Sequence, residues 1–188
     1  MTERYNIDKD RLYVSVFGGD QSDGLPEDKE AFEFWSNIVP QDRIIFGSEK
    51  DNFWEMGDTG PCGPCSEIHI DIRPDAERTE VSGASLVNKD HPLVIEIWNL
   101  VFMEFFRQDD GSLIKLPMQS VDTGMGFERL CSVLQNTGGN NYHTDVFMPI
   151  IDTLAELSGH AFNPSENPTP FYVVADHIRT LSFAIAAG

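Results

Sequence analysis

Residues 93–130 read LVIEIWNLVFMEFFRQDDGSLIKLPMQSVDTGMGFERL, and this stretch decides the fold. Leu93 to Phe106 is rich in β-branched and aromatic residues, and it is too hydrophobic for a strand at the surface. Asp110-Gly111 is a hairpin-turn signal, so residues 113–122 are expected to form an antiparallel neighbour. Buried polar groups need partners, and the apolar run contains Glu96, Asn99 and Glu104. The stretch therefore predicts a β-hairpin that carries polar side chains.

Local patterns also predict the elements before this hairpin. Leu12 to Phe17 alternates as a strand does. A helix is expected from near Pro26 to Pro40, and its apolar face would consist of Ala31, Phe34, Trp35 and Ile38. Residues 51–65, DNFWEMGDTGPCGPC, have the composition of a loop. Residues 66–71 predict a strand with one polar face, and residues 72–91 are expected to be irregular.

Helical periodicity replaces the alternation after the hairpin. The first helix is expected to end before Gly138, with one face formed by Phe127, Leu130, Cys131 and Leu134. A second helix is expected over about residues 145–158, with Pro149 in its first turn. The last segment, Phe171 to Ala187, has Asp176 as a candidate N-cap. The order predicts an α+β fold, an antiparallel β-sheet flanked by helices with the start of a C-terminal helical region.

The charge of the chain argues against one functional class. Its 188 residues carry 31 acidic and 13 basic side chains, a formal net charge of −18. A free-standing nucleic-acid binder has a basic stripe that meets phosphates, and no such stripe is visible.

Three cysteines cannot all pair, which favours a reducing compartment and a cytoplasmic protein. No stretch reaches the ~20 apolar residues that span a membrane, and residues 1–11 lack the apolar core of a signal peptide.

The strongest local signal for chemistry is VDTGMGFER, residues 121–129. It predicts a strand that passes into a helix through Gly124 and Gly126, which let a ligand approach the backbone closely. The helix N-terminus favours anionic groups, and Arg129, one turn in, can stack on a base or pair with a phosphate. The alternative is a plain strand–turn–helix in which Arg129 forms a surface ion pair.

Four blocks together resemble one enzyme family. Gly124 to Arg129 resembles motif 3 of class II aminoacyl-tRNA synthetases, and the preceding Ser-Val-Asp-Thr, residues 120–123, resembles its form in the alanyl-tRNA synthetase family. Residues 51–67 and 95–103 match the same family, and residues 175–180 resemble the start of the helical region after its catalytic domain. The blocks occur in the family's order and approximate spacing, so the resemblance covers most of the chain.

The resemblance implies a two-step reaction. Alanine and ATP, with Mg²⁺, form alanyl-adenylate and release pyrophosphate, and the alanyl group then passes to the 3′ end of tRNA(Ala). Asp122 would hold the alanine ammonium group, Gly124 would lie beside the methyl group, and Arg129 would clamp ATP, so that Asp122 and Arg129 are the candidate catalytic residues. The residues that match the alanine pocket are Trp54, Asn99, Val101, Asp122 and Gly124; those placed at ATP are Arg129, Gly126, Glu96 and Trp98. Trp54 has the alternative role of a core side chain, and Glu96 that of an acceptor for backbone donors.

The pattern Cys62-x-x-Cys65, with His69 downstream, raises the question of zinc. A structural zinc site wants four nitrogen or sulfur ligands, so a zinc-stabilised acidic binding module is one alternative. The zinc of the resembled family lies in an editing domain that this sequence lacks, and no metal site is expected in this chain. Pro61 and Pro64 are instead expected to stiffen a loop over the pocket.

Two class II motifs do not appear. Motifs 1 and 2 are not found in residues 1–50. We therefore interpret residues 1–165 as the C-terminal part of a class II catalytic domain. Residues 166–188 are interpreted as the start of a helical tRNA-recognition region, where His177 and Arg179 are expected to contact tRNA. A truncated synthetase paralogue with a carrier-protein or regulatory role is a second alternative, and the oligomeric state stays open.

Because the motif 2 residues that grip ATP do not appear, residues 1–188 by themselves are expected neither to activate alanine nor to aminoacylate tRNA. An ATP–pyrophosphate exchange assay on the purified chain should show no turnover above background. Exchange at the rate of a complete synthetase would contradict this expectation.

Overall fold

A six-stranded β-sheet forms the centre of residues 1–130. In this computed structural model, which describes residues 1–166 and 168–188, the strands are β1 (Leu12–Phe17), β2 (Ile44–Gly47), β3 (Phe53–Glu55), β4 (Gly60–Asp71), β5 (Val94–Arg107) and β6 (Leu113–Met125). Their order is β2-β1-β4-β5-β6, and β3 pairs with β4. β1 and β2 are parallel, and the other pairs are antiparallel. The predicted α+β class and its mainly antiparallel sheet are confirmed.

The helices are α1 (Thr2–Tyr5), α2 (Lys29–Ser36), α3 (Glu49–Asn52), α4 (Asp75–Glu80), α5 (Phe127–Leu134), α6 (Met148–Ser158) and α7 (Thr169–Ala187). The chain divides into two compact units between Leu130 and Cys131. The expected boundary between residues 165 and 166 separates the catalytic domain from the tRNA-recognition region. It is a functional boundary, which the division into compact units does not test, and it stays a prediction. Within the described ranges, the structure has no helix that is both long and apolar enough to cross a bilayer.

The predicted hairpin of β5 and β6 is confirmed. The chain reverses at Gly111, whose φ of 82° lies in the left-handed region that glycine adopts without steric cost. Along β5 the side chains of Val94, Ile97 and Val101 are buried. The hairpin therefore supplies apolar anchors to the sheet and holds the intervening polar residues in a fixed register.

The loop expected over residues 51–65 is wrong. Residues 53–55 form β3, and β4 already begins at Gly60 and runs through both prolines. Proline is tolerated where a ladder is irregular, and the pairing of β4 with β5 shifts register between Cys62 and Cys65. Both cysteines are buried between β3 and β5, so the prolines lie in a strand and do not form a loop over the pocket.

The expected apolar face of α2 is partly wrong. The helix begins at Lys29, and Asp28 Oδ1 caps it by accepting a hydrogen bond from the Ala31 backbone N–H at 2.9 Å. Phe34 and Ile38 are 65% and 67% exposed. The residues that pack against β1 and β2 are Ala31, Phe32, Trp35 and Val39. In α5, likewise, Leu130 is buried whereas Phe127 and Leu134 are exposed.

The unit that follows Leu130 is built on α6 and α7. Pro149 lies in the first turn of α6, as predicted, and the core consists of Phe147, Ile151 and Ala175. Asp176 does not cap a helix, because α7 already begins at Thr169 and Asp176 lies in its interior. The proline-rich composition before Phe171 concealed this earlier start.

An ion pair between Asp71 and Arg73 closes the end of β4. Arg73 Nε and Nη2 donate to the two carboxylate oxygens at 2.9 and 2.7 Å. Both side chains are buried. Burial by itself would raise the pKa of Asp71, but the hydrogen bonds from Arg73 outweigh it and lower the pKa below the ordinary value. The carboxylate is therefore ionised at neutral pH and contributes to folding stability.

Replacing Asp71 by Asn should lower the free energy of unfolding by about 3–5 kcal/mol, because it leaves the Arg73 charge buried without a counter-charge. Urea unfolding at pH 7 measures the loss. Since the Asp71 pKa is lowered in the folded state, the stability that its carboxylate contributes is complete above the unfolded-state pKa and disappears as pH falls through the folded-state value. The Asp71→Asn variant should therefore lack this part of the loss of stability at acid pH.

The matched control for this prediction is Asp75→Asn. Asp75 also pairs with arginines, but its side chain is 80% exposed, so the change should stay within about 1 kcal/mol. Equal losses for Asp71→Asn and Asp75→Asn would contradict the importance given to the buried pair.

Candidate active site

The register of β5 and β6 brings four of the predicted alanine-pocket residues together. Val101 pairs with Asp122, and Asn99 pairs with Gly124. Residues two apart on a strand share a face, so these four residues lie on one face of the sheet. We call it the cleft face and define it by Asn99, Val101, Asp122 and Gly124.

Trp54 lies on β3, where it pairs with Gly63 of β4. Its side chain is half-buried. The register of β4 against β5 shifts between Cys62 and Cys65, so alternation does not carry over from Gly63 to Cys65. Four of the five residues predicted for an alanine pocket therefore share the cleft face, and the place of Trp54 in the pocket stays a prediction.

The cleft face is open beside Gly124. A Cβ atom at this glycine would meet no atom within 4 Å, and the neighbouring Asp122 is exposed. Across the strand pair, Asn99 Oδ1 is buried and has no hydrogen-bond partner among the residues that the structure describes. An exposed carboxylate therefore lies near a space where the backbone is bare, and this combination suits a small cation.

Cys65 lies behind Asn99 and Val101. Burial is the main cause that raises the pKa of its thiol to about 12, the charge of Glu67 raises it further, and a hydrogen bond from the Asn99 side chain opposes the shift. The thiol is therefore neutral at physiological pH. Cys62 packs instead with Phe17 and Phe53 in an apolar cluster.

The cysteines therefore do not converge on one metal. His69, the suggested third ligand, contacts Glu67 Oε2 at 3.1 Å. In the described part of the chain, the potential ligand group with three suitable side chains is Asp20, Asp23 and Glu49, and it includes neither cysteine. Nothing in this arrangement favours the zinc-stabilised binding module.

The strand-to-helix turn brings Gly126, Arg129 and Glu96 together. The Gly126 backbone N–H donates to Ile97 O at 2.9 Å, and a side chain at Gly126 would crowd that of Arg129. Arg129 Nη1 donates to Glu96 O and to Glu96 Oε2, each at 2.9 Å. Arg129 thus forms the ion pair considered as an alternative, and its partner is another residue predicted for the ATP site.

The register separates Trp98 from this group. Trp98 pairs with Ile68 and Met125, one residue out of step with Asn99. Alternation therefore turns its side chain away from the cleft face, and its assignment to ATP stays a prediction. A strand exposes its residues to two sides in turn, and family resemblance along the block could not tell which side each residue takes.

The residues predicted to contact tRNA lie in α7. His177 is exposed, with Nδ1 3.8 Å from Asp176 Oδ2. The Arg179 guanidinium lies over the rings of Phe147 and Phe183, 5.4 and 5.7 Å from their centroids. Arg179 is therefore already engaged with aromatic side chains of its own unit.

A buried polar cluster around Glu67 was not predicted from the sequence. Glu67 Oε2 accepts hydrogen bonds from Ser15 Oγ at 2.8 Å and from Asn88 Nδ2 at 3.0 Å, and it contacts His69 Nε2. Burial would raise the pKa of Glu67, but these hydrogen bonds prevail and lower it. The alternation of residues 66–71 predicted the polar face, yet only Ser15 within the apolar strand Leu12–Phe17 hinted that this face is buried.

Comparisons with known proteins agree with this geometry. The family described as tRNA synthetases class II (A) matches residues 1–188. An alanine–tRNA ligase of Christiangramia forsetii is 56% identical over 100% of this chain and 22% of its own length. The corresponding ligase of Flavobacterium psychrophilum is 54% identical over the same shares, and that of Porphyromonas gingivalis is 56% identical over 97% of this chain and 21% of its own.

The chain therefore spans about a fifth of the length of the curated relatives it matches. The family match extends over residues 1–188, the span that contains the cleft face. This chain belongs to the class II (A) tRNA synthetase family.

Proposed function

We propose that this chain is part of the catalytic domain of an alanine–tRNA ligase, which joins alanine to ATP as alanyl-adenylate and passes the alanyl group to tRNA(Ala). The proposal is supported by relatives of that name at 54–56% identity. It is supported equally by a site on the cleft face whose chemistry suits a small amino acid.

One observation carries the assignment of the amino acid. Asp122 is exposed on β6 near the open space at Gly124. Asn99, which pairs with Gly124, has a buried Oδ1 with no partner among the described residues. An ammonium group has three donors and a positive charge, so a carboxylate with an amide oxygen beside it is a suitable partner. The bare backbone at Gly124 leaves room for the α-carbon and methyl group of alanine.

The walls of the pocket are apolar. Val101 lies directly across from Asp122, and we assign Trp54 of β3 to the same pocket. A pocket of this kind limits the size of the side chain, but one methyl group is worth only about 1–3 kcal/mol of discrimination. Selection against glycine or serine would then depend on parts of the enzyme outside this chain.

ATP is assigned to Arg129, Gly126 and Glu96. Arg129 would exchange its ion pair with Glu96 for the phosphates, where a guanidinium stabilises developing negative charge. Glu96 is a partly exposed carboxylate at the same turn, and it would then be the residue that helps to hold Mg²⁺ beside phosphate oxygens. When bound, Mg²⁺ would neutralise part of the negative charge of the phosphates.

The contact with tRNA is assigned to His177 and Arg179 of α7, at the start of a helical recognition region that we place over residues 166–188. With a net charge of −18, the chain offers little general attraction to phosphates. Most of the electrostatic contact with tRNA would come from the rest of the enzyme. The reaction is placed in the cytoplasm.

Asp122→Asn tests the ammonium assignment in the full-length protein that contains this chain. A hydrogen bond to a charged group contributes about 1.5–3 kcal/mol, so the variant should bind a non-hydrolysable alanyl-adenylate analogue roughly 10- to 150-fold more weakly in calorimetry. Asp110→Asn, in the turn of the same hairpin, is the control and should bind normally. An unchanged affinity for Asp122→Asn would refute the assignment.

Gly124→Ala separates function from folding. The added methyl group meets open space in the structure, so the free energy of unfolding should change by less than about 1 kcal/mol. The same methyl group would occupy the position assigned to alanine, and the full-length protein that contains this chain should lose alanine-dependent ATP–pyrophosphate exchange.

The comparison for this variant is Gly63→Ala. There the new Cβ would clash with the backbone of Phe102, so the variant should unfold more easily. Normal exchange in Gly124→Ala would show that alanine does not pack against this backbone.

A further inference from the structure

Helix α7 is almost free of charge within a strongly acidic chain. Its 19 residues include one acidic and one basic side chain, Asp176 and Arg179, whereas the chain as a whole has a net charge of −18. Apolar residues occur on every side of the helix, which is typical of helices that are buried in a protein. The structure nevertheless leaves large apolar side chains exposed along it: Val173, Val174, Ile178, Leu181, Phe183 and Ile185.

One series of these side chains is spaced by four, three and four residues: Val174, Ile178, Leu181 and Ile185. We call this series the α7 stripe. Such spacing keeps side chains on one side of a helix and forms the seam between two packed helices. The flanking positions carry no carboxylate, lysine or arginine; they are Ala175, His177, Ser182 and Ala184. The α7 stripe therefore suits another apolar helix and does not suit a phosphate backbone.

A cavity of about 320 Å³ adjoins the α7 stripe near the start of α7. It lies between the last turn of α6 and the first turns of α7, and its lining consists of Leu154, Ser158, His160, Pro170, Phe171 and Val174. Val174 belongs to both the cavity and the stripe. The Ser158 hydroxyl is already engaged, because it accepts a hydrogen bond from the His160 backbone N–H at 3.3 Å. The cavity is thus mainly apolar and can receive a bulky apolar side chain, the usual anchor of an interface.

The size of the α7 stripe indicates what kind of partner covers it. At ~1.5 Å per residue and a helix diameter of ~10 Å, the stripe from Val174 to Ile185 presents on the order of 200 Å². A stable contact between separate proteins buries ~800 Å² on each partner, so the stripe by itself is too small to hold a second copy. A segment of the same polypeptide needs less area, since the tether raises its effective concentration. This chain spans 22% of the length of its relatives.

We propose that the α7 stripe and the adjoining cavity are the docking surface for a helix of the same polypeptide that lies outside residues 1–188. This partner helix carries apolar side chains at the same three- and four-residue spacing, and it places a bulky one in the cavity. The inference goes beyond the proposed function, because it depends on neither alanine nor ATP.

Site-specific photo-cross-linking in the full-length protein that contains this chain tests the proposal. A benzophenone amino acid replaces Leu181 of the stripe or, as the control, Thr180, which is exposed on the side of α7 away from the stripe. Protein of natural nitrogen-isotope composition is mixed with heavy-isotope protein, so that mass spectrometry separates links within one polypeptide from links between copies. Position 181 should link to a helix outside residues 1–188 of the same polypeptide, and position 180 should not.

Two cross-linking results would overturn the proposal. Links from position 181 between copies would assign the stripe to a dimer contact, and a folded protein without links from this position would show that the stripe stays uncovered.

A second measurement uses small side chains, so it holds even where the benzophenone group disturbs folding. The thiols introduced by Leu181→Cys and by Thr180→Cys are alkylated with a maleimide in separate full-length variants, and the reaction is followed on the α7 peptide by mass spectrometry. The thiol at 181 should react about tenfold or more slowly than that at 180, because a covered thiol reacts only when the contact opens. Equal rates would overturn the proposal.

Discussion

The antiparallel register of β4, β5 and β6 is the constraint on which the site depends. A slip of one residue between β5 and β6 would turn Asp122 and Gly124 to the opposite face from Asn99 and Val101, because the side-chain period of a strand is two. The side chains of Ile97 and Val101 anchor β5 in the core, and the register of the hairpin shifts between Met103 and Phe105, before the strands reach the site. The same alternation that assembles the cleft face excludes Trp98 from it.

Polar burial accompanies this register. Glu67, His69 and Asp71 alternate along β4 and are all buried, which would be costly without partners. Asp71 is paired with Arg73 at the end of the strand, whereas Glu67 accepts hydrogen bonds from Ser15 and Asn88 and contacts His69. The first arrangement stabilises the end of β4. The second fixes a buried carboxylate directly across from Asn99 of the cleft face.

Much of the fold could be predicted because its signals are local. The strand Leu12–Phe17 and the hairpin around Gly111 follow from alternation and turn residues within a few positions. The strand through Pro61 and Pro64 could not be predicted, because its stability comes from β3 and β5, which pair with it from distant parts of the chain. The buried face of α2 was misjudged for a similar reason, since Phe32 and Val39 meet partners on β1 and β2 that periodicity alone does not reveal.

The residues of the candidate site could be predicted from family resemblance, but their arrangement could not. Asp122, Asn99 and Gly124 were named from the matching blocks, while the pairing of Asn99 with both Glu67 and Gly124 appears only in the structure. The most direct test of the central claim is a crystal structure of the full-length protein with a non-hydrolysable alanyl-adenylate analogue. Our account predicts the ammonium nitrogen about 3 Å from both the Asp122 carboxylate and Asn99 Oδ1, beside Gly124. An ammonium group bound away from these atoms, or on the face that carries Trp98, would contradict it.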